Sequence, residues 1–235
     1  MATAVSEQLA VPRHLGFILD GNRRWAQTHS IPEFDGHMAG YNALKEVLEG
    51  VYDHGIKWVS IYAFSNENWK RPSNEVSGLM GLAVSAVSRD LKNLIERGVR
   101  VRFMGRRDAM SNKVLAAIEK AEDETKDLTH STLLVCFNYG GQQEIVDAAR
   151  QCIHDGLQAD EIDEDAIASR LYVPEAPPVD MIVRTSGEHR LSNFMLWRSA
   201  YSEFLFLKKY WPDMTKEDVT AIIEEYNRRS RRYGG

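Results

Sequence analysis

The sequence predicts an α/β fold, a single domain built on a mostly parallel central sheet of about six strands flanked by helices. Short, near-continuous apolar runs alternate with longer stretches whose apolar residues recur at helical spacing. Strands that are apolar throughout belong to sheets covered on both faces. No repeat period and no Ser/Gly-rich linker divides the 235 residues, a length one large domain can hold. An apolar fraction of 43% and a charged fraction of 27% exclude disordered, collagen-like and low-complexity classes.

In chain order, residues 1–12 read as a flexible polar tail and 13–235 as the folded domain. Strands are expected at 15–20 (LGFILD), 59–64 (VSIYAF), 99–104 (VRVRFM) and 133–138 (LLVCFN), with weaker signals at 181–183 and 204–207. Tyr41, Leu44, Leu48 and Val51 share one helical face that stops at Gly55. A longer helix over 73–97 carries Val76, Leu79, Met80, Ala83, Val87, Leu91, Leu94 and Ile95 on its stripe. Pro72-Ser73 opens it and Gly98 closes it. Two more helices are expected over 111–127 and 141–155. The last starts at an N-cap Thr215, with Glu217 and Asp218 in its first turn and Arg228 and Arg229 near its end.

Composition narrows the function classes. Twenty-nine basic against thirty-four acidic residues leave a net charge of −5, which argues against a nucleic-acid binder with a broad positive field. Cys136 and Cys152 lie in apolar runs with no CxxC spacing, so neither a disulfide framework nor a zinc site is signalled, and a reducing cytoplasm fits. The N-terminus lacks the basic start and apolar core of a secretory leader. The longest apolar runs fall short of the roughly 18 residues a membrane span needs.

Polar clusters follow several of the expected strands: Asp20-Gly21-Asn22-Arg23-Arg24-Trp25, then Ser65 to Pro72, then Asn138-Tyr139-Gly140-Gly141, then Arg184 to Asn193. In parallel sheets ligands sit beyond the carboxyl ends of the strands. An acid followed by Gly and Asn lets the chain turn sharply into a helix whose free N–H groups, with two arginines, suit a diphosphate. Beside such an anion Asp20 calls for a cation, and Mg²⁺ is the natural choice. An N-cap Asp with solvated arginines accounts for that cluster alone equally well. Arg184, Arg190 and Ser192 form a second set of anion donors. Nucleotide use is disfavoured, because neither GxxxxGK[ST] nor GxGxxG occurs.

The ordered runs HLGFILDGNRRWA, Gly36-His37, YAFSNENWKRP, NYGG, RTSGEHRLSNFMLW, SEFLF and WPD resemble the cis-prenyltransferases, the undecaprenyl diphosphate synthases and their shorter-chain relatives, over about residues 12 to 233. The resemblance implies an enzyme that condenses isopentenyl diphosphate with an allylic diphosphate such as geranyl or farnesyl diphosphate, using Mg²⁺, to give a Z-polyprenyl diphosphate. Paired DDxxD motifs of the trans enzymes are absent.

Carried over by motif, Asp20 is the metal-linked carboxylate, and Gly21, Asn22, Arg23, Arg24 and Trp25 hold the allylic diphosphate with His37 nearby. Ser65, Asn66, Glu67, Trp69, Phe64 and Arg71 line the substrate region around the catalytic Asn68. An amide is a very weak base, so Asn68 is read as orienting the group that takes the proton. Arg184, Arg190, Leu191 and Ser192 hold isopentenyl diphosphate. Glu203 is the second metal carboxylate, supplied beside a partner subunit's site, and His189 assists the metal. The tail Arg232-x-Gly234 resembles one that crosses the dimer interface in some members.

The resemblance further implies a cytoplasmic homodimer, no nucleic-acid partner, at most peripheral membrane contact for product release, and an apolar substrate tunnel between the 73–97 helix and the sheet. Trp197 and Trp211 read as packing residues. Two departures stand out. Glu33 occupies a position where many relatives carry an arginine, and Arg23 replaces a frequent glycine. A non-catalytic subunit would lack pieces that are present here, namely Asp20, Asn68, Arg184, Arg190 and Glu203. A branched condensation of two five-carbon allylic diphosphates stays open, as does product length, although no insertion near 73–97 favours very long products.

Overall fold

A computed structural model describes residues 10–229. The tail residues Arg232 and Gly234, and most of the expected N-terminal tail, lie outside them.

Six strands form one parallel sheet: β1 (His14–Ile18), β2 (Trp58–Ser65), β3 (Val99–Met104), β4 (Ser131–Tyr139), β5 (Met181–Arg184) and β6 (Glu203–Phe206), in the spatial order β3-β4-β2-β1-β5-β6. Among the described residues seven helices flank it: α1 (Asn22–Thr28), α2 (Glu33–Asp53), α3 (Ser73–Glu96), α4 (Asn112–Thr125), α5 (Gly141–His154), α6 (Glu164–Ala168) and α7 (Lys216–Arg228). Every residue of β1 and of β5 is buried, as uninterrupted apolar runs require. Edge strand β6 is only half-buried along its length, which is why its sequence signal is weak.

Alternate residues of the strands feed cores on both faces of the sheet. Leu15, Phe17, Val59 and Ile61 pack beneath α2 and α7 against Val47, Val51, Val219 and Ile222. Ile18, Leu134, Cys136 and Ile182 face the other way, toward Phe194 and Met195. On that second side the Arg198 guanidinium, fully buried with Glu144, bonds its carboxylate at 2.7 Å. It also donates to the carbonyls of Tyr172 and Val173, tying α5 to the chain entering β5.

Helix α2 begins earlier than its apolar stripe indicates, because Pro32 supplies the N-cap and Gly36 and Gly40 are weak helix formers. Both glycines answer to a close crossing. A Cβ on Gly36 would lie 2.3 Å from the Asn22 carbonyl oxygen, and one on Gly40 would lie 2.2 Å from Asn22 Oδ1. The glycine notch therefore seats the start of α1 on α2. At the far end of the chain the expected Thr215 cap is present, its backbone N–H donating to Asp218 at 2.7 Å.

Helix α3 breaks the usual rule for an amphipathic helix. Only Val76 and Leu91 of its 24 residues are buried. Its apolar stripe packs partly on a core around Val101, Phe103, Ile118 and Phe137 and partly faces a hollow between α2, α3 and the sheet. The connections leave β1 toward β2 on one side and reach β5 on the other, so the topological switch falls between β1 and β5. A crevice is expected above the carboxyl ends of those two strands.

His14 in β1 is fully buried, with Nδ1 2.9 Å from the Pro177 carbonyl and Nε2 2.7 Å from Ser60 Oγ. Burial pushes its pKa from 6.5 down to about 4. The unfolded chain therefore binds this proton first, and stability falls as pH drops from about 6.5 toward about 4, by about 3 kcal/mol. Urea unfolding at pH 7 and pH 4.5 should show a smaller loss in His14→Gln than in the wild type; equal losses would show that His14 does not carry the effect.

Candidate active site

The crevice at the switch is occupied by the residues that end β1 and β5. Asp20 follows β1 through a tight turn in which its N–H donates to Ile18 O at 2.9 Å. The next residue, Gly21, has φ 113°, a conformation other residues avoid, and its missing Cβ makes room for Tyr210. Thr185, one residue past β5, locks this turn: its hydroxyl donates to Asp20 O at 2.6 Å and accepts the Asp20 N–H at 3.1 Å. Neighbouring strand ends thus hold one carboxylate in place.

Arg184 is the last residue of β5 and its side chain is buried. Its guanidinium donates to Asp20 Oδ2 at 2.8 Å and to Ser192 Oγ at 2.8 Å, and also to the Arg190 carbonyl. Arg24, one turn into α1, reaches the other Asp20 oxygen at 3.1 Å and Glu188 at 2.8 Å. Glu188 also takes Arg190, and these two arginines, Arg190 first, lower its pKa. Asp20 and Glu188 therefore interleave with Arg184, Arg24 and Arg190. Consecutive Ser192 and Asn193 sit at φ 48° and 66°, a strained loop of the kind found at binding sites. Asn193 braces that loop by accepting the Gln142 N–H at 2.8 Å and donating to Glu67 at 3.2 Å.

Across the crevice, the turn after β2 brings Ser65, Glu67, Asn68 and Arg71 to the same opening. Asn68 Oδ1 accepts the Ser65 N–H at 3.1 Å, which leaves its amide donors free of that bond. Glu75 receives Arg71 at 2.8 Å and lies 3.4 Å from His37 Nε2. Burial, and then the charge of Arg71, lower the His37 pKa, which favours the neutral ring.

Below this polar mouth opens a cavity of about 850 Å³. Asp20, Asn22, His37, Ser65, Glu67, Asn68, Arg71, Arg184, Arg190 and Ser192 all line it, and Gly21, Arg23 and Arg24 line an adjoining hollow of about 390 Å³. Its deeper wall is apolar, with Leu79, Leu82, Ala83, Ala86 and Val87 of α3 opposite Ile61, Val135 and Phe137 of the sheet. This hollow is consistent with the expected tunnel.

Other expected residues are not brought to the cavity. Trp25 donates its indole N–H to Asp213 at 2.6 Å and stacks on His29 at 4.1 Å. Trp69 donates to Asn138 at 2.7 Å and packs edge-on against Phe64, itself 1% exposed. Neither lines the cavity or its adjoining hollow. Asn66 lies against Gly140, and Leu191 packs with the second core. Trp197 packs as expected, whereas Trp211, also buried, doubles as cavity wall.

Glu203 pairs in register with Met181, at the amino end of β5, whereas Arg184 at its carboxyl end neighbours Asp20. Within one chain it therefore lies at the opposite end of the sheet, bonded to Arg229 at 2.9 Å. His189 stacks on Phe206 at 4.8 Å. Neither joins Asp20. Conversely, Glu75, Glu188 and Asn193 were not singled out in the sequence. Arg71 and Glu75 carry the legible i,i+4 spacing; the long-range reach of Glu188 to Arg24 has no local signature.

The comparisons with known proteins agree with this geometry. The family model described as undecaprenyl diphosphate synthase matches residues 18–234. The chain belongs to that prenyltransferase family. It is 43% identical to an isoprenyl transferase of Thermotoga maritima over 229 residues, 97% of this chain and 98% of the relative. It is 44% identical to a trans,polycis-polyprenyl diphosphate synthase, (2Z,6E)-farnesyl diphosphate specific, of Thermobifida fusca, covering 96% and 81%. Among solved structures, lavandulyl diphosphate synthase from Lavandula x intermedia, in complex with dimethylallyl diphosphate, superposes with a TM-score of 0.92 at 30% identity, covering 95% and 98% of the two chains. A probable undecaprenyl diphosphate synthase from Campylobacter jejuni gives 0.82 at 29% identity, covering 96% and 100%. This prenyltransferase is thus an enzyme of the polyprenyl diphosphate synthase type.

The Glu33 departure has a structural partner. Glu33 Oε1 receives Arg23 at 2.9 Å, and Arg23 holds the Glu33 pKa below its usual value. The two unusual residues compensate each other, so Arg23 adds no net positive charge at the mouth. Glu33→Gln should release Arg23 and tighten pyrophosphate binding several-fold by calorimetry; unchanged or weaker binding would show that Glu33 does not restrain it.

Proposed function

We propose that the enzyme condenses isopentenyl diphosphate with an allylic diphosphate, geranyl or farnesyl, to give a Z-prenyl diphosphate. The observation that carries this reading is the interleaved Asp20, Arg184, Arg190 and Ser192 mouth standing directly over an apolar cavity. A diphosphate needs the first and a prenyl tail needs the second.

The donor set also fits Mg²⁺. Among the described residues no group of three acidic, thiol or imidazole side chains is gathered into a cage. Asp20 with substrate phosphate oxygens is the arrangement this ion favours. Asp20 would hold it, and Mg²⁺ would supply charge stabilisation to the departing diphosphate. Glu203 would reach such a site only across a subunit interface, in keeping with a homodimer.

In this mechanism Arg24 and the α1 amino end bind the allylic diphosphate, and Arg184, Arg190 and Ser192 bind that of isopentenyl diphosphate. Diphosphate binding would draw the arginines off Asp20 and Glu188, freeing the carboxylate. The allylic C–O bond breaks with its electron pair leaving on the diphosphate. The isopentenyl double bond then supplies the electrons of the new C–C bond, and a proton leaves its C2. Asn68 donates from its amide to a diphosphate oxygen or water that takes this proton, its own oxygen being engaged by Ser65. The apolar wall receives the tail. The chain works in the cytoplasm, meeting a membrane at most peripherally to release product; among the described residues no helix is long and apolar enough to cross one.

A second reading has one observation in its favour. The lavandulyl diphosphate synthase likeness, in complex with dimethylallyl diphosphate, suits a branched condensation of five-carbon units. Incubation with Mg²⁺ and labelled isopentenyl diphosphate plus geranyl or farnesyl diphosphate should yield chains lengthened by five-carbon units, and chelation should abolish them. Product from dimethylallyl diphosphate alone would favour the branched reaction, and no product from any pair would overturn the proposal.

Asp20→Asn should lower kcat/KM by about a hundred-fold or more. Asn68→Asp keeps an acceptor for Ser65 but loses the amide donor, so it should lose turnover as Asn68→Ala does. Near-normal turnover in Asn68→Asp would refute the donor role.

A further inference from the structure

The cavity is not apolar throughout. On α2 its lining stripe runs Tyr41, Leu44, Lys45, Leu48, Glu49 and Tyr52, and on α3 it continues past Val87 to Asp90, Asn93 and Arg97. A sleeve for a hydrocarbon has no use for charged groups on its wall, because burying them against a tail strips their water. Tyr41, Glu49, Asp90 and Arg97 pair across the gap between the helices instead. The Tyr41 hydroxyl donates to Asp90, and the Lys45 ammonium stands 5.0 Å from the Tyr41 ring centre. Further along, Arg97 lies 3.7 Å from Glu49 and 3.5 Å from Asp53. Burial and the neighbouring Asp90 raise the Tyr41 pKa, so the phenol keeps the proton it donates.

Leu91 and Leu94 in the second half of α3 pack on the core, and these polar bonds add a link from it to α2. Resting on the condensation proposed above, we propose that the Tyr41–Asp90 bond is the specificity determinant for product length: it collars the cavity and stops the growing tail there. Beyond the collar the lining continues from Asp90 to Arg97, seven residues or about 10 Å of helix, room for at least one more isoprene unit. A tail that entered it would have to displace the Tyr41–Asp90 bond and lie against a carboxylate, a phenol and an ammonium.

The test is a binding series of prenyl diphosphates of increasing length, from geranyl upward, measured by calorimetry on the full chain with Mg²⁺, alongside product sizing. In the wild type, affinity should rise with each added unit and then level off at the length where products also stop. Tyr41→Phe, which removes one oxygen, and Asp90→Leu should both move the break and the products to longer chains by at least one isoprene unit. Asp90→Asn, which still accepts from the phenol, should behave as the wild type does.

A break at the same length in Tyr41→Phe would overturn the collar, whatever Asp90→Leu does if it folds poorly. Should the wild type bind the series but turn nothing over, the condensation reading falls while the shift in the break still decides the collar.

Discussion

The site depends on one ion pair, Asp20 with Arg184 across the carboxyl ends of β1 and β5. The two strands are neighbours at the point where the sheet's connections change direction, so their ends are adjacent. Thr185 pins the Asp20 backbone, and Arg184 reaches onward to Ser192 and the Arg190 carbonyl. One strand pairing therefore gathers the turn after β1 and the loop after β5 into one polar surface. The rigidity belongs to the sheet, while the bonds that a diphosphate would replace belong to side chains.

Charge balance explains how so many arginines coexist beside an open hollow in a chain of net negative charge. Each is matched to an acid: Arg24 to Asp20 and Glu188, Arg190 to Glu188, Arg71 to Glu75, and Arg23 to Glu33. Exposed pairs of this sort contribute little stability, commonly below about 1 kcal/mol each. Exchanging a carboxylate for a doubly charged anion therefore costs little, and the arginines are already placed.

The hollow itself follows from a packing concession. A 24-residue amphipathic helix would ordinarily fill its contact with the sheet, but α3 leaves part of that contact open and is joined to α2 by polar bonds as well as by the packing of Leu91 and Leu94. An unfilled apolar volume lowers stability relative to a packed core, and the other clusters around Phe17, Trp211 and Phe194 compensate by being fully buried. The buried Glu144–Arg198 pair adds a fixed joint on the far side, keeping the segment before β5 from drifting.

Periodicity and composition in the sequence determined the class of fold, the six strands, the long amphipathic helix and the capped last helix, because each of these is set by local pattern. Motif spacing named most of the mouth, since Arg184 ends its strand and Asp20 and Asn68 fall just beyond theirs. Tertiary structure alone decided the rest. That Trp25 and Trp69 turn away from the cavity, that Glu203 lies at the opposite end of the sheet from Asp20, and that Glu33 neutralises Arg23 all depend on which distant groups meet. So does the bond between Tyr41 and Asp90, 49 residues apart. Local pattern fixes which way a segment folds; long-range packing chooses the partner of each polar side chain.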